Sequence, residues 1–213
     1  RVGLIYRQDR VEPTGPIRMI ADDAFAIART PMVREFRLRD HQETVTVIVN
    51  HFKSKGGRAA TGADADQRDG QAAYNAARKQ QARALVRYAN QATESDSEAR
   101  LLIIGDLNAY SQEDPIDILR DAGLADLLLE HSEGQEPYSF VYFGQAGCLD
   151  YGFASRGLAE KVTGAAVWHI NADEPRCLDY NLEHNQGTLY RPDPFRSSDH
   201  DPVLVGIRFD RAG

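Results

Sequence analysis

The strand-like segments of this sequence outnumber its helix patterns, and most of them are not followed by a helix. We count about seven to eight apolar or alternating segments of strand length, against two helix patterns. A parallel doubly wound sheet needs a helix after nearly every strand, so that architecture is disfavoured. The sequence predicts an α+β fold instead, a sandwich of two mainly antiparallel β-sheets flanked by helices.

The predicted strands share short apolar or alternating runs bounded by polar residues, Gly or Pro. They lie at residues 2–7, 33–38, 44–52, 101–105, 138–143, 149–154, 165–170 and 203–209. A polar turn from Asp40 to Glu43 separates the second run from the third, which predicts an antiparallel hairpin. Residues 8–31 contain three prolines and predict a loop with short extended pieces.

The two helix patterns have different signals. Residues 71–91 carry an apolar stripe from Ala82 to Ala89 at the spacing of one buried helix face. Residues 114–122 follow Ser111, a candidate N-cap, and end at Gly123, which is typical of a helix C-terminus. Both helices are therefore expected on the outside of the predicted sandwich.

The composition is that of one soluble globular domain with an acidic charge balance. Hydrophobic residues make up 42% of the chain and charged residues 27%, and 25 Lys and Arg against 32 Asp and Glu give a net charge of −7. No apolar run approaches the roughly 20 residues that a membrane helix needs. The acidic balance disfavours binding of nucleic acid through a broadly basic surface, so phosphate contacts must be local or assisted by a cation. We treat residues 1–213 as a single domain.

Four short segments place an acid, an amide or a histidine at the end of a predicted strand. They are Asn50-His51-Phe52-Lys53-Ser54-Lys55, Gly105-Asp106-Leu107-Asn108-Ala109, Leu149-Asp150-Tyr151 and Ser197-Ser198-Asp199-His200-Asp201-Pro202-Val203. Polar groups delivered by strand ends to one edge of a sheet can form a catalytic or metal site.

Each segment alone also has a structural interpretation. Asp106 and Asn108 could hold a metal or a phosphate oxygen, or simply form a turn after the strand. His200 could act as a general base or lie on a surface loop. His51 could be a hydrogen-bonded structural histidine, whereas Asp150 sits in an apolar strand and therefore needs a partner.

Taken together and in this order, the four segments resemble the endonuclease/exonuclease/phosphatase superfamily, which shares the DNase I-like fold. The residues that carry the resemblance are His51, Asp106, Asn108, Asp150 and the pair Asp199-His200. The run that starts at Asn50 and the stretch 168–175 resemble the secreted bacterial nucleases within it. The resemblance covers the whole chain and implies two packed β-sheets with the site at one edge.

The resemblance also implies residues that the chain does not show. Members begin with a strand bearing an Asn, followed by an element bearing a metal-binding Glu, and both precede the segment that starts here at Arg1. Glu12, Glu35 and Glu43 are candidates for the Glu by residue type only. We therefore expect an N-terminally incomplete domain, with the missing fragment as a candidate partner.

The resemblance assigns a role to each site residue. It makes His200 the general base or a phosphate contact, oriented by Asp150, and lets Asp106 position the attacking water. It makes Asn108 and His51 hydrogen-bond donors to phosphate, with His51 also a candidate general acid. We expect Mg²⁺ or Mn²⁺ near Asp199, since hard cations prefer carboxylate oxygens.

The implied function is that of a metal-dependent phosphodiesterase, a secreted, sequence-nonspecific endonuclease acting on DNA or RNA. The candidate phosphate contacts are Lys53, Lys55, Arg58 and Arg196. Two alternatives remain open. One is a phosphodiesterase or phosphatase with a lipid or small phosphorylated substrate, such as a sphingomyelinase-like enzyme, and the other is a catalytically incomplete fragment.

Two further expectations concern stabilising groups. Cys148 and Cys177 are either two thiols or a disulfide, and the extracellular, periplasmic or cell-surface setting that the resemblance suggests favours the disulfide. Asp64, Asp66 and Asp69 are candidate ligands for Ca²⁺, although their spacing is not a full EF-hand loop and a solvated loop is the alternative.

Overall fold

The computed structural model describes residues 2–39, 41, 43–179, 189 and 191–209. Its strands are β1 (Val11–Met19), β2 (Met32–Leu38), β3 (Thr44–His51), β4 (Leu101–Asp106), β5 (Ala125–Asp126), β6 (Phe140–Tyr142), β7 (Gln145–Gly147), β8 (Asp150–Ala154), β9 (Val162–Val167) and β10 (Val203–Ile207). Its α-helices are α1 (Asn75–Ser95), α2 (Asp114–Asp121), α3 (Leu127–His131) and α4 (Arg156–Ala159). Single 3₁₀ turns lie at Asp23–Phe25, Gly62–Asp64 and Arg176–Leu178.

A six-stranded sheet in the order β1-β2-β3-β4-β8-β5 forms the centre of the fold. Its neighbouring strands are antiparallel except for β3 and β4, which are parallel. Strands β9 and β10 pair in a second sheet, and β6 and β7 form a separate hairpin. The α+β fold class is confirmed, with a mixed central sheet and, in the described part of the chain, a second sheet of two strands.

The two faces of the central sheet pack against different elements. Ile48 and Ile103 belong to a buried cluster that includes the apolar stripe of α1. Their chain neighbours Val47 and Leu102 point to the opposite face, where they pack in a cluster with residues of β9 and β10. The helix stripe predicted from the sequence is confirmed, since Ala82, Leu85 and Ala89 are buried.

The N-terminal part of the chain departs from the sequence prediction. Residues 2–7 form no strand, and Ile5 is almost fully exposed; within the described residues no strand pairs with them. Residues 8–31, predicted as loop, contain β1 instead. Two features explain why β1 tolerates its prolines: it is the edge strand, and its register with β2 shifts between Thr14 and Arg18.

Helix α2 also begins differently from the prediction. Its N-cap residue is Glu113, and Ser111 does not cap it. Instead the Ser111 carbonyl accepts a hydrogen bond from Arg120, in the last turn of the same helix. No helix in the described part of the chain is long and apolar enough to cross a membrane.

Gly105 allows β3 and β4 to approach each other where the two strands end. Its φ is +129°, and a Cβ atom added there would lie 2.1 Å from the carbonyl oxygen of Asn50. We expect Gly105→Ala to lower the free energy of unfolding by roughly 2–4 kcal/mol, because the strand must shift and the backbone is strained. Urea unfolding measures this difference.

Gly164→Ala is the matched control for the Gly105 substitution. Gly164 also lies in a strand, and a Cβ atom added there meets nothing within 4 Å. Its expected effect is within about 0.5 kcal/mol of the original protein. Equal losses of stability in the two variants would contradict the close-approach argument.

Candidate active site

Three predicted site residues meet in one row across the central sheet. The parallel register of β3 and β4 places His51 opposite Asp106, and the antiparallel register of β4 and β8 places Asp106 opposite Asp150. The Nε2 atom of His51 lies 3.4 Å from Oδ2 of Asp106. His51 lies 55 positions before Asp106 in the sequence, and Asp150 lies 44 positions after it. Strand pairing alone therefore brings the three residues to one edge of the sheet.

A histidine–aspartate dyad completes this row. Nδ1 of His200 lies 2.6 Å from Oδ2 of Asp150. The same carboxylate oxygen accepts a hydrogen bond of 2.7 Å from Oγ of Ser139. Ser139 is fully buried, and its Oγ accepts from the backbone N–H groups of Leu149 and Asp150. Asp150 is therefore fixed on two sides, and so is the orientation of the His200 ring.

The loop that carries His200 is held by the strand that follows Ser139. Phe140 and His200 form an isolated antiparallel β-bridge, and their ring centroids are 4.6 Å apart. The backbone N–H of Asp201 donates to the carbonyl of Ser139. On its other side, the carbonyl of His200 accepts a hydrogen bond of 2.7 Å from the amide of Asn171.

Asp201 anchors the same loop from within the protein. Its buried carboxylate accepts hydrogen bonds from three successive backbone N–H groups, those of Ile170, Asn171 and Ala172. Its other oxygen lies 2.8 Å from Nδ1 of His169. These bonds tie the end of the 168–172 segment to the residue that follows His200.

The environment separates the proton affinities of the three central groups. Burial lowers the pKa of His200, but the hydrogen bond and charge of Asp150 outweigh this and raise it to about 9. Burial and the charge of Asp150 raise the pKa of Asp106 to about 6. Burial and the charge of Arg29 lower the pKa of His51 to about 4. At neutral pH His200 is therefore charged, Asp106 is mostly ionised and His51 is neutral.

The same residues form a group that could hold a metal ion. Ligand atoms of Asp106, Asp150 and His200 all lie within 4.8 Å of one another. Two carboxylates and an imidazole suit a divalent cation, although a cation bound to His200 would compete with its proton. Asp199 is exposed and lies outside this group, so its role as a metal ligand stays a prediction.

Solved structures with a similar fold include three from different sources. They are a mannosyl-6-phosphatase from Bacteroides thetaiotaomicron (14% identity, 96% of this chain and 69% of that one, TM-score 0.62), TDP2 from D. rerio complexed with single strand DNA product (13%, 92% and 68%, 0.56) and the human Nocturnin catalytic domain with bound sulfate (17%, 75% and 52%, 0.50). Two further neighbours are described as endonuclease/exonuclease/phosphatase proteins. This chain has the DNase I-like fold of those proteins.

The likeness is one of fold, and its extent is limited. The chain spans between 52% and 69% of the length of the three structures above. No family model and no curated protein matches the sequence. The expected DNase I-like sandwich is confirmed.

Glu12, Glu35 and Glu43 do not supply the glutamate that the DNase I-like resemblance implies. Glu12 pairs with Arg37, and Glu35 accepts a hydrogen bond from Thr14, both between β1 and β2. Within the described residues none of the three belongs to the metal-capable group. Glu12 and Glu35 lie within β1 and β2, and Glu43 lies just before β3, away from the strand ends that carry the site.

Asn108 has a positioning role in this structure. Its backbone adopts a φ of +48°, and its N–H donates to Oδ1 of Asp106 at 2.7 Å. Its side-chain amide donates to Oδ2 of Asp106 at 3.0 Å and to the carbonyl of Phe52 at 3.2 Å. Both amide hydrogens are thereby used, so the predicted donation from Asn108 to phosphate would require it to release one of these partners.

Two of the four predicted phosphate contacts, Lys55 and Arg196, use their charges inside the protein, so their contact with phosphate stays a prediction. Lys55 forms an ion pair with the buried Glu113. Arg196 is 6% exposed and donates to the carbonyl of Asn171, with Asp179 3.7 Å away.

The other two predicted phosphate contacts, Lys53 and Arg58, remain available to a ligand. Lys53 lies over the ring of Tyr74, and Arg58 is exposed. Sequence reasoning also missed Arg29, an exposed residue whose charge lowers the pKa of His51 and of Asp106. The sequence did not indicate a role for Arg29, because nothing in the residues around it shows that it lies near the ends of β3 and β4.

The predicted disulfide is absent. Cys148 is buried with its Sγ 3.1 Å from the carbonyl of Asp150, whereas Cys177 is exposed on a 3₁₀ turn. Burial raises the pKa of the Cys148 thiol to about 12, which makes it an unreactive core residue.

The predicted Ca²⁺ loop is not supported either. Asp64, Asp66 and Asp69 each accept a hydrogen bond from a nearby backbone N–H. They do not form a ligand group in the described part of the chain. The three aspartates therefore shape the loop between β3 and α1, as the alternative interpretation of this stretch had it.

Proposed function

We propose that this chain carries the catalytic residues of a divalent-metal-dependent phosphodiester hydrolase that acts on nucleic acid. The observation that carries the proposal is the Asp150–His200 dyad, with its 2.6 Å contact, beside the partly buried carboxylate of Asp106. Phosphodiester hydrolysis needs an activated water and neutralisation of phosphate charge. An ionised Asp106 next to a charged His200 offers both within one row of the sheet.

Each residue has a role that follows from its protonation state. His200 binds a phosphate oxygen as a cation, and Asp150 holds its ring through Nδ1. Asp106, with a pKa of about 6, accepts the proton of the attacking water at neutral pH. His51, with a pKa of about 4, offers a neutral N–H to the phosphate, which replaces the general-acid role inferred from the sequence.

Within the metal-capable group, the carboxylates of Asp106 and Asp150 would hold a divalent cation, for which Mg²⁺ or Mn²⁺ is the proposed identity, while His200 stays protonated. Such an ion, when bound, polarises the phosphate and stabilises the leaving oxygen. Lys53, Arg58 and Arg29 are the proposed contacts to the rest of the backbone. A few exposed cations on a chain of net charge −7 predict weak, salt-sensitive binding without sequence preference.

Supercoiled plasmid incubated with the chain and Mg²⁺ or Mn²⁺ tests this function. We expect nicking that EDTA abolishes and that His200→Ala reduces by about 10²-fold or more. Single-stranded DNA and RNA in parallel reactions establish the substrate preference. Cleavage that survives both EDTA and His200→Ala would assign the activity to a contaminant, and absence of cleavage would contradict the proposal for this chain.

A lipid phosphodiesterase is the second candidate, because the β6–β7 turn exposes two aromatic rings. Tyr142 is 58% exposed and Phe143 is 90% exposed, beside the strand that contacts His200. An exposed aromatic hairpin is a feature that a membrane-acting enzyme needs. Release of phosphocholine from choline-phospholipid vesicles, with plasmid left intact, would favour this candidate over the nuclease.

A further inference from the structure

The first turn after the catalytic β3 strand is held by an internal ion pair. Nζ of Lys55 contacts both carboxylate oxygens of Glu113, one of them at 2.6 Å, and lies 3.2 Å from the carbonyl of Gln71. Side-chain exposure is 20% for Lys55 and 7% for Glu113. Burial lowers the pKa of Lys55 and raises that of Glu113, so both charges are held at a cost in solvation.

The ion pair joins the two chain segments that supply the site. Lys55 lies four residues after His51, and Glu113 lies seven residues after Asp106, as the N-cap of α2. The two segments also meet directly, because the N–H of Phe52 donates to the carbonyl of Asp106. The ion pair and this backbone hydrogen bond therefore join the same two segments at two points beside the site.

Helix α1 holds the same segment from its other side. The fully buried Arg78 donates to the carbonyls of Ala73 at 2.8 Å and of Gln71 at 2.7 Å. Gln81, also fully buried, accepts a hydrogen bond of 3.0 Å from the backbone N–H of Lys53. Residues 53–55 thus lie between two buried polar groups of α1 and the carboxylate at the start of α2.

A buried ion pair adds little to stability compared with apolar residues of the same volume, so its presence here calls for another explanation. We propose that Lys55 and Glu113 are positioning residues, which act as one unit to fix the distance between His51 and Asp106 in the active site. The sequence-based alternative, in which Lys55 contacts the substrate phosphate, predicts different behaviour and is tested by the same variants.

The test compares Lys55→Met, Glu113→Gln and the double variant in the whole chain. Each single variant leaves one partly buried charge unpaired and is expected to be less stable, whereas the double variant recovers most of that loss. All three are expected to lower kcat for plasmid cleavage by about tenfold or more, with KM little changed. The double variant should be no worse than either single variant, because the pair acts as a unit.

Lys79→Met is the matched control. Nζ of Lys79 lies 2.8 Å from Asp114 and also links α1 to α2, but this pair is more exposed and touches no part of the 51–57 segment in the described contacts. We expect its kcat to remain within about twofold of the original protein. A higher KM for Lys55→Met, with normal kinetics for Glu113→Gln, would overturn the proposal in favour of a phosphate contact.

The kinetic comparison rests on the proposed hydrolase function, so a second measurement is independent of it. Amide hydrogen exchange at Phe52 and Lys53 is expected to become about tenfold faster in the double variant and to stay unchanged in Lys79→Met. This holds whether or not the chain cleaves plasmid. Recovery of normal kcat in the double variant, or unchanged exchange at both amides, would show that the pair serves stability alone.

Discussion

Asp150→Asn is expected to reduce kcat for plasmid cleavage by about 10³-fold. Oδ2 of Asp150 accepts hydrogen bonds from both His200 and Ser139, and its charge keeps the imidazole protonated. An asparagine fills the same space without that charge. The orientation and the cationic form of His200 are then both lost.

The same substitution has a direct spectroscopic consequence. Once the charge of Asp150 is removed, burial dominates, and the pKa of His200 should fall from about 9 to below its ordinary value of 6.5. Titration of the His200 ring by NMR in EDTA measures this change. Asp199→Asn is the control, because the exposed Asp199 makes a smaller contribution and should leave the pKa well above 6.5.

The pH dependence of stability follows from the same shift. A histidine whose pKa is raised on folding contributes stability that is fully present below pH 6.5 and is lost as the pH rises through about 9. The free energy of unfolding of the original protein should therefore fall over this window, and that of Asp150→Asn should not. Identical pH profiles for the two proteins would contradict the assigned ion pair.

The sequence predicted which residues form the site better than it predicted which residues they contact. His51 and Asp106 are the last residues of apolar strands and Asp150 is the first residue of one, and a strand boundary is visible in a local pattern. Their meeting depends on the parallel register of β3 and β4, which local patterns do not contain. The resemblance to a known family supplied that step.

Lys55 shows why the basic residues were harder to assign. Its neighbours in sequence are polar and two glycines follow it, so it has the signature of a residue on an exposed loop. Its partner Glu113 is 58 positions away, and only the tertiary fold brings the two together. Ser139 and Arg29 were missed for the same reason, since each acts on a strand from another part of the chain.

The prediction of a loop at β1 was wrong because it rested on the prolines of the segment and not on the position of the strand in the sheet. Pro13 and Pro16 cannot donate hydrogen bonds and normally exclude a strand. At the edge of a sheet, with a register shift between Thr14 and Arg18, these missing donors cost little. Whether a strand lies at an edge is a property of the sheet and cannot be read from the segment itself.

Asp106→Asn is expected to abolish activity while stabilising the fold. In the proposed mechanism Asp106 accepts the proton of the attacking water, so its loss should reduce kcat by about 10³-fold. Burial and the charge of Asp150 raise the pKa of Asp106 to about 6, which means that ionisation of this carboxylate opposes folding. The asparagine removes this penalty but loses one of the two hydrogen bonds from Asn108.

The net gain should be about 1 kcal/mol and should depend on pH in a defined direction. A carboxylate whose pKa is raised on folding costs nothing below its unfolded value of 3.8, and its cost grows until the pH passes about 6. Urea unfolding in EDTA should therefore show Asp106→Asn to be the more stable protein at pH 8 and to lose that advantage at pH 4. A variant less stable than the original at pH 8 would mean that Asp106 holds the strand ends together. It would contradict the inference that the charge of Asp106 destabilises the fold.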